Sequence, residues 1–145
     1  MSFKFRLETS LHLAEQELDI ARGFLATELR KLQELSSRRD RQAELLLEAF
    51  KGQKKACLEE PWSLSFWQLY IREQKEKLLQ LIAEVQEQEK NVLKHREKVV
   101  QCRIKVEKFK RLKQKKFKLY YIEELRKEQA VLDEIASLRR QGGFS

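Results

Sequence analysis

Turn-making residues are nearly missing from this chain, which has 4 Gly and 1 Pro among 145 residues. Glycine and proline supply the left-handed and fixed-φ conformations of tight turns, so a fold of many short elements is excluded. Beside an isolated Gly23, the breakers fall at Gly52, Pro61 and the Gly142-Gly143 tail. Histidine is equally scarce: His12 and His95 are the two present, and neither has a Cys or His at metal-ligand spacing. The cysteines, Cys57 and Cys102, form no CxxC pair and fit a reducing compartment. There is no Gly-rich phosphate loop, no GxSxG and no HExxH, and acidic pairs such as Glu15/Asp19 are ordinary solvated helix positions. The expectation is a protein without catalytic residues, cofactor or metal. No apolar run approaches the ~20 residues that span a bilayer, and the opening Met1–Glu8 lacks the apolar core of a signal peptide, so a cytosolic location is expected.

What the chain has in quantity is charge and periodic leucine. Charged residues make up 37% and hydrophobic ones 41%, with Glu, Lys, Leu, Gln, Arg and Ala dominating, the usage of long exposed helices. Disorder, the usual reading of so much charge, fails because the apolar residues recur with helical period. Steps of three and four from Leu11 give Leu11, Ala14, Leu18, Ala21, Leu25, Glu28, Leu32, Leu35, Arg39, Gln42, Leu46, Ala49, Gln53 and Ala56. The same steps from Ile71 give Ile71, Gln74, Leu78, Leu81, Val85, Gln88, Val92, His95, Val99, Cys102, Val106 and Phe109. Both are coiled-coil seams. Beyond Phe109 the stripe is less regular, through Phe117, Tyr121, Leu125, Leu132 and Ile135.

One chain reversal is credible. Pro61 disfavours helix at Glu60, and Ser65 with Gln68 has the spacing of a capping box, with Leu64 and Leu69 as its hydrophobic staple. The predicted fold is all-α: one long antiparallel two-helix coiled-coil hairpin over residues 1–145, with helix one about 8–57, a turn about 58–64, helix two about 65–140 and a tail at 141–145. The arms would be ~75 and ~110 Å long at about 1.5 Å per residue. Folding about Trp62 pairs positions whose numbers sum to about 124, so that Glu28 meets His95. The last ~20 residues of helix two then project alone, with a stripe that needs a partner. Cys57 and Cys102 would lie ~50 Å apart, too far for a disulfide. A fully extended parallel homodimer is the competing rod.

Charge is localised. Residues 90–127 carry 15 Lys/Arg against 4 Asp/Glu, whereas residues 1–89 carry 14 against 16. The run from Lys108 to Lys118 is the most distinctive segment. It is compatible with nucleic acid, with an anionic membrane surface, with an acidic protein surface or with a plain solvated face that sets Phe109 and Leu112 in the seam. The fold has no base-reading motif, which counts against DNA, and docking on an acidic protein surface is the favoured reading. At the reversal, Trp62, Phe66, Trp67 and Tyr70 fall within nine residues. At least two of them are expected to cover the turn, and a two-helix tip is too thin to bury all four, which leaves the remainder for a partner.

Several segments together resemble the FliJ family, the coiled-coil stalk proteins of the flagellar type III export apparatus, related to the YscO-type proteins of injectisomes. They are Phe3-x-Phe5-x-Leu7-Glu8-x-x-Leu11, the tip followed by Gln68-x-Tyr70-Ile71, Arg111-Leu-Lys-x-Lys-Lys116, and Lys127-Glu-Gln-x-x-Leu-Asp-Glu-Ile-Ala136. The resemblance implies a non-enzymatic hairpin similar to the central stalk of rotary ATP synthases. It implies insertion of the chain ends into a hexameric FliI-like export ATPase, promotion of hexamer assembly, and linkage to the FlhA-like gate protein, with export chaperones as further partners. The implied location is cytoplasmic, peripheral to the inner face of the cell membrane at the flagellar base, serving motility and chemotaxis. Carried onto this sequence, the gate-docking positions are Gln42, Leu45, Ala49, Tyr70 and Gln74. Those toward the ATPase are Arg111, Lys115, Lys116, Leu125, Leu132 and Ile135.

Overall fold

The computed structural model describes residues 2–142, which form two helices, α1 at Glu8–Glu59 and α2 at Leu64–Gly142, joined through a 3₁₀ turn at Pro61–Ser63. No strand occurs among the described residues. The expected helical hairpin is the observed fold. Residues 143–145 of the expected tail lie outside the described residues.

The reversal is built by proline. Glu60, the residue before it, leaves helical space at φ −137° and ψ 66°, as the clash with the proline ring requires. The Ser63 amide donates to the Glu60 carbonyl at 3.0 Å, and the Ser63 hydroxyl donates to the same oxygen at 2.8 Å. The Leu64 amide donates to the Pro61 carbonyl. The expected capping box at Ser65 is corrected by this: α2 grows straight out of the 3₁₀ turn, so Ser65 already lies inside its first turn and Ser63 makes the local hydroxyl bond.

The chain divides into two compact units, one of residues 19–100 and one that joins the chain up to Leu18 with the chain from Gln101. In the first unit the two arms run antiparallel from the turn, and Ala21, Ala49, Ala56, Ile71, Val85, Val92 and Val99 are buried between them. Of these, Ile71, Val85, Val92 and Val99 each contribute on the order of 1.5–3 kcal/mol when fully withdrawn from water. Two polar layers interrupt this seam. Gln42 donates its amide to Gln74 Oε1 at 2.5 Å and to the Gln74 carbonyl at 3.2 Å. Gln88 donates to Glu28 Oε2 at 2.6 Å and to the Glu28 carbonyl at 2.9 Å.

These layers correct the expected register. Both pairs have numbers summing to 116, about one heptad from the expected 124, and the hydrogen-bond partner of Glu28 across the seam is Gln88. His95 instead sets its ring 6.2 Å from Phe24. The cause lies at the tip. α1 runs on to Glu59, past the level of α2's first turn, and Trp67 packs on Gly52, where any Cβ would sit 2.5 Å from Cη2 of the indole. Glycine at 52 is therefore a space requirement.

In the second unit, Leu11, Ala14 and Leu18 of α1 are buried with Cys102 and Val106 of α2. Ion pairs flank this seam, Glu17 with Lys105 at 3.3 Å and Glu8 with Lys113 at 2.8 Å. Glu8 also opens α1, where a carboxylate suits the helix dipole. Before it, residues 2–7 run as a non-helical strap along α2, anchored by Phe3, whose ring lies 5.4 Å from both Phe117 and Tyr120. Past Glu124 every described side chain of α2 is exposed. This is the expected helical overhang. Cys57 is exposed, Cys102 buried, and both are free.

Candidate functional site

Each unit presents one candidate docking surface. In the unit of residues 19–100 it is the tip. Leu58, Trp62, Phe66 and Leu69 are 81%, 78%, 67% and 58% exposed, although apolar groups of this size are normally buried. The connecting turn is too short to shield them. Trp67 and Tyr70 are half-buried, their rings edge to face at 6.0 Å, and Phe66 meets Trp67 edge-on at 6.4 Å. Two of the four tip aromatics thus cover the reversal while Trp62 and Phe66 face water. One turn away, Lys75 places its ammonium 5.3 Å from the Phe50 ring centroid, an exposed cation–π contact.

The positions carried over for gate docking divide sharply. Gln42, Ala49 and Gln74 are buried in the seam, the two glutamines in each other's hydrogen bonds, so these three cannot contact a partner while the seam is closed. Heptad spacing decides this: all three sit on the same steps of three and four as the core leucines and valines. Leu45, one step off the seam, is 44% exposed, and Tyr70 is half-exposed. Of the five carried-over positions, Leu45 and Tyr70 are the ones open to solvent.

In the other unit the surface is α2 beyond its last partner. Leu125, Leu132 and Ile135 are 47%, 59% and 44% exposed, joined by Ile122, Val131 and Leu138. Arg111, Lys115 and Lys116 are exposed as well, so all six expected positions face solvent. The basic run has lost part of its aromatic character: Phe109 is half-buried at a seam position, and Phe117 is engaged with Phe3 and stacked at 6.5 Å on Tyr121. The strap is the feature missed by helical stepping. Its signal was the alternation Phe3, Phe5, Leu7, whose period of two is that of an extended segment lying on a surface.

Among the described residues no group of His, Cys, Asp and Glu could hold a metal ion, and no helix is long and apolar enough to cross a membrane. One carboxyl is perturbed. The Gln88 amide bonded to Glu28 holds that carboxyl below the usual range against the opposing effect of burial, helped by Lys31 at 3.3 Å.

A protein-family model described as "Flagellar FliJ protein" matches residues 3–142. The chain belongs to the FliJ family. Membership gives it a role in flagellar protein export, in a family of non-enzymatic export components. Comparison with curated proteins and with solved structures gave no match. The match spans the strap, both helices and the overhang.

Proposed function

We propose that this FliJ-family chain is a coupling stalk of the flagellar export apparatus. The overhang of α2 with Arg111, Lys115 and Lys116 docks on a hexameric FliI-like export ATPase and promotes ring assembly. The tip, through Leu45, Tyr70 and the exposed aromatics, meets an FlhA-like gate protein. Export chaperones would be carried as further partners. The protein would work in the cytoplasm, held at the inner face of the membrane through the gate.

The observation that carries this reading is the unpartnered length of α2. A helix exposing Leu125, Leu132 and Ile135 leaves apolar surface wet, and a partner burying them gains on the order of 1 kcal/mol per side chain or more. The adjoining excess of cations directs that partner's surface to be acidic.

The direct test is biochemical. Purified chain at sub-stoichiometric ratio raises the activity of its cognate export ATPase, and truncation after Lys118 abolishes the effect. An unaltered rate with the full-length chain removes the stalk reading. In cells Tyr70→Ala lowers motility while ATPase stimulation persists. Loss of both from that one change would place the ATPase contact at the tip instead.

A further inference from the structure

The strap and α2 form a half-open pocket of about 350 Å³ between Phe3–Leu7 and the helix turn holding Leu112 and Lys116. That volume is at the lower end of ligand pockets and accepts one large side chain. Its apolar wall comes from Phe5, Leu7 and Leu112, all half-buried, and its rim from Lys4, Arg6 and Lys116, all exposed. No carboxylate lines it.

Lys105 pairs with Glu17 and Lys113 with Glu8, whereas no ion pair among the described residues engages Lys4, Arg6 or Lys116. Three unneutralised cations around one pocket repel each other and raise the local attraction for an anion. A bare inorganic anion would gain nothing from the apolar wall, and a neutral apolar ligand nothing from the rim. The strap has a fixed place, since Phe3 is clamped by Phe117 and Tyr120 and the Glu8 amide closes a turn on the Phe5 carbonyl at 3.1 Å. The pocket is therefore largely preformed.

We infer that this pocket takes an acidic segment of a partner protein, inserting one aromatic or large aliphatic side chain between Phe5, Leu7 and Leu112 while flanking carboxylates meet Lys4, Arg6 and Lys116. The inference rests on the reading of this unit as a partner-docking end, and it names the chemistry such a partner presents beside the α2 overhang. Arg6, with its planar fork, is the group suited to hold a carboxylate bidentately.

The test uses the full chain and a fluorescein-labelled, amidated peptide Glu-Asp-Phe-Asp-Glu, followed by anisotropy. Saturable binding is expected with Kd on the order of 10–100 μM in low salt. Replacing the peptide's Phe by Ala, or its acids by Gln and Asn, weakens it by about tenfold. The double variant Lys4→Glu/Arg6→Glu weakens it by about tenfold or more, with helicity by circular dichroism unchanged, while Lys98→Glu, which does not line the pocket, stays within about twofold. Equal binding of the Ala peptide, indifference to the double variant, or no saturation by about 1 mM overturns the pocket. Dodecyl phosphate displacing the peptide at lower concentration than the peptide's own Kd assigns the site to a lipid headgroup and overturns it too. Peptide binding without ATPase stimulation leaves the pocket standing and removes the stalk reading. Stimulation without peptide binding does the reverse.

Discussion

Two glycines in α1 should respond with opposite sign to the same substitution. Neither has a positive φ, so alanine is conformationally acceptable at both, and the helix-propensity gain of Ala over Gly is about 1 kcal/mol at each. At Gly23 an added Cβ meets nothing within 4 Å, so Gly23→Ala stabilises by nearly that full amount. At Gly52 the Cβ would lie 2.5 Å from Cη2, 2.8 Å from Cζ3 and 3.1 Å from Cζ2 of Trp67. The indole must tilt or leave, and overpacking of this kind costs about 1–3 kcal/mol. The net for Gly52→Ala is a loss of about 0–2 kcal/mol, and the gap between the two variants about 1–3 kcal/mol.

The gap is the quantity to measure, because the propensity contribution cancels in it. Urea denaturation followed by circular dichroism gives both values on one scale. Tryptophan emission gives an independent check, since Trp62 is already 78% exposed and a red shift in Gly52→Ala must come from Trp67. Equal stabilisation by the two substitutions, with unshifted emission, would refute the packing of Trp67 on Gly52 and the arm register that follows from it.

Gln42→Leu and Gln74→Leu each strand a buried amide and lose about 1–2 kcal/mol, whereas the double replacement is close to neutral; a double-mutant cycle by denaturation reads the coupling, and additive losses would contradict the bond between them. Glu28 has a folded-state pKa below its unfolded value, so its contribution is present above the unfolded pKa and lost as pH falls through the folded one. Gln88→Leu should flatten the stability–pH curve on the acid side of about pH 4.5, measured as denaturation midpoints from neutral to acid pH, and an unchanged acid limb would show that Gln88 is not the cause. Phe3→Ala releases the strap from Phe117 and Tyr120 and should raise proteolytic cleavage within residues 2–7 severalfold, with α-helix content unchanged.

The seams were legible to a high degree. All fourteen stepped positions of α1 and all twelve of α2 are buried or half-buried, because a period near 3.5 leaves one face of a helix available to its partner. The slide between arms was not legible from the same signal. A heptad pattern matches itself when moved by seven residues, so leucine and valine layers pair acceptably at a sum of 124 or one heptad lower. Gly52 held the missing information, but as an absence of atoms against which Trp67 fits, and a lone glycine in a helix does not announce its neighbour. The burial of three carried-over gate-docking positions was hidden for a related reason: family correspondence gives column numbers, whereas burial depends on the face, and Gln42, Ala49 and Gln74 lie on the closed one.

Polar residues break the heptad degeneracy. A slide by one heptad would leave the Gln42 and Gln88 amides opposite apolar side chains, each an unsatisfied buried group costing about 1–3 kcal/mol, whereas in the observed register Gln42 finds Gln74 and Gln88 finds Glu28. Leucine in their places would bury more apolar surface and lower the discrimination between the two slides, the trade made by a single polar core position in other coiled coils. Register also decides which side chains reach solvent, since it fixes where α2's first turn meets α1 and therefore that Trp67 is covered while Trp62 and Phe66 are not. Buried glutamines of no use as contacts thus determine the surface that a partner of the tip would meet.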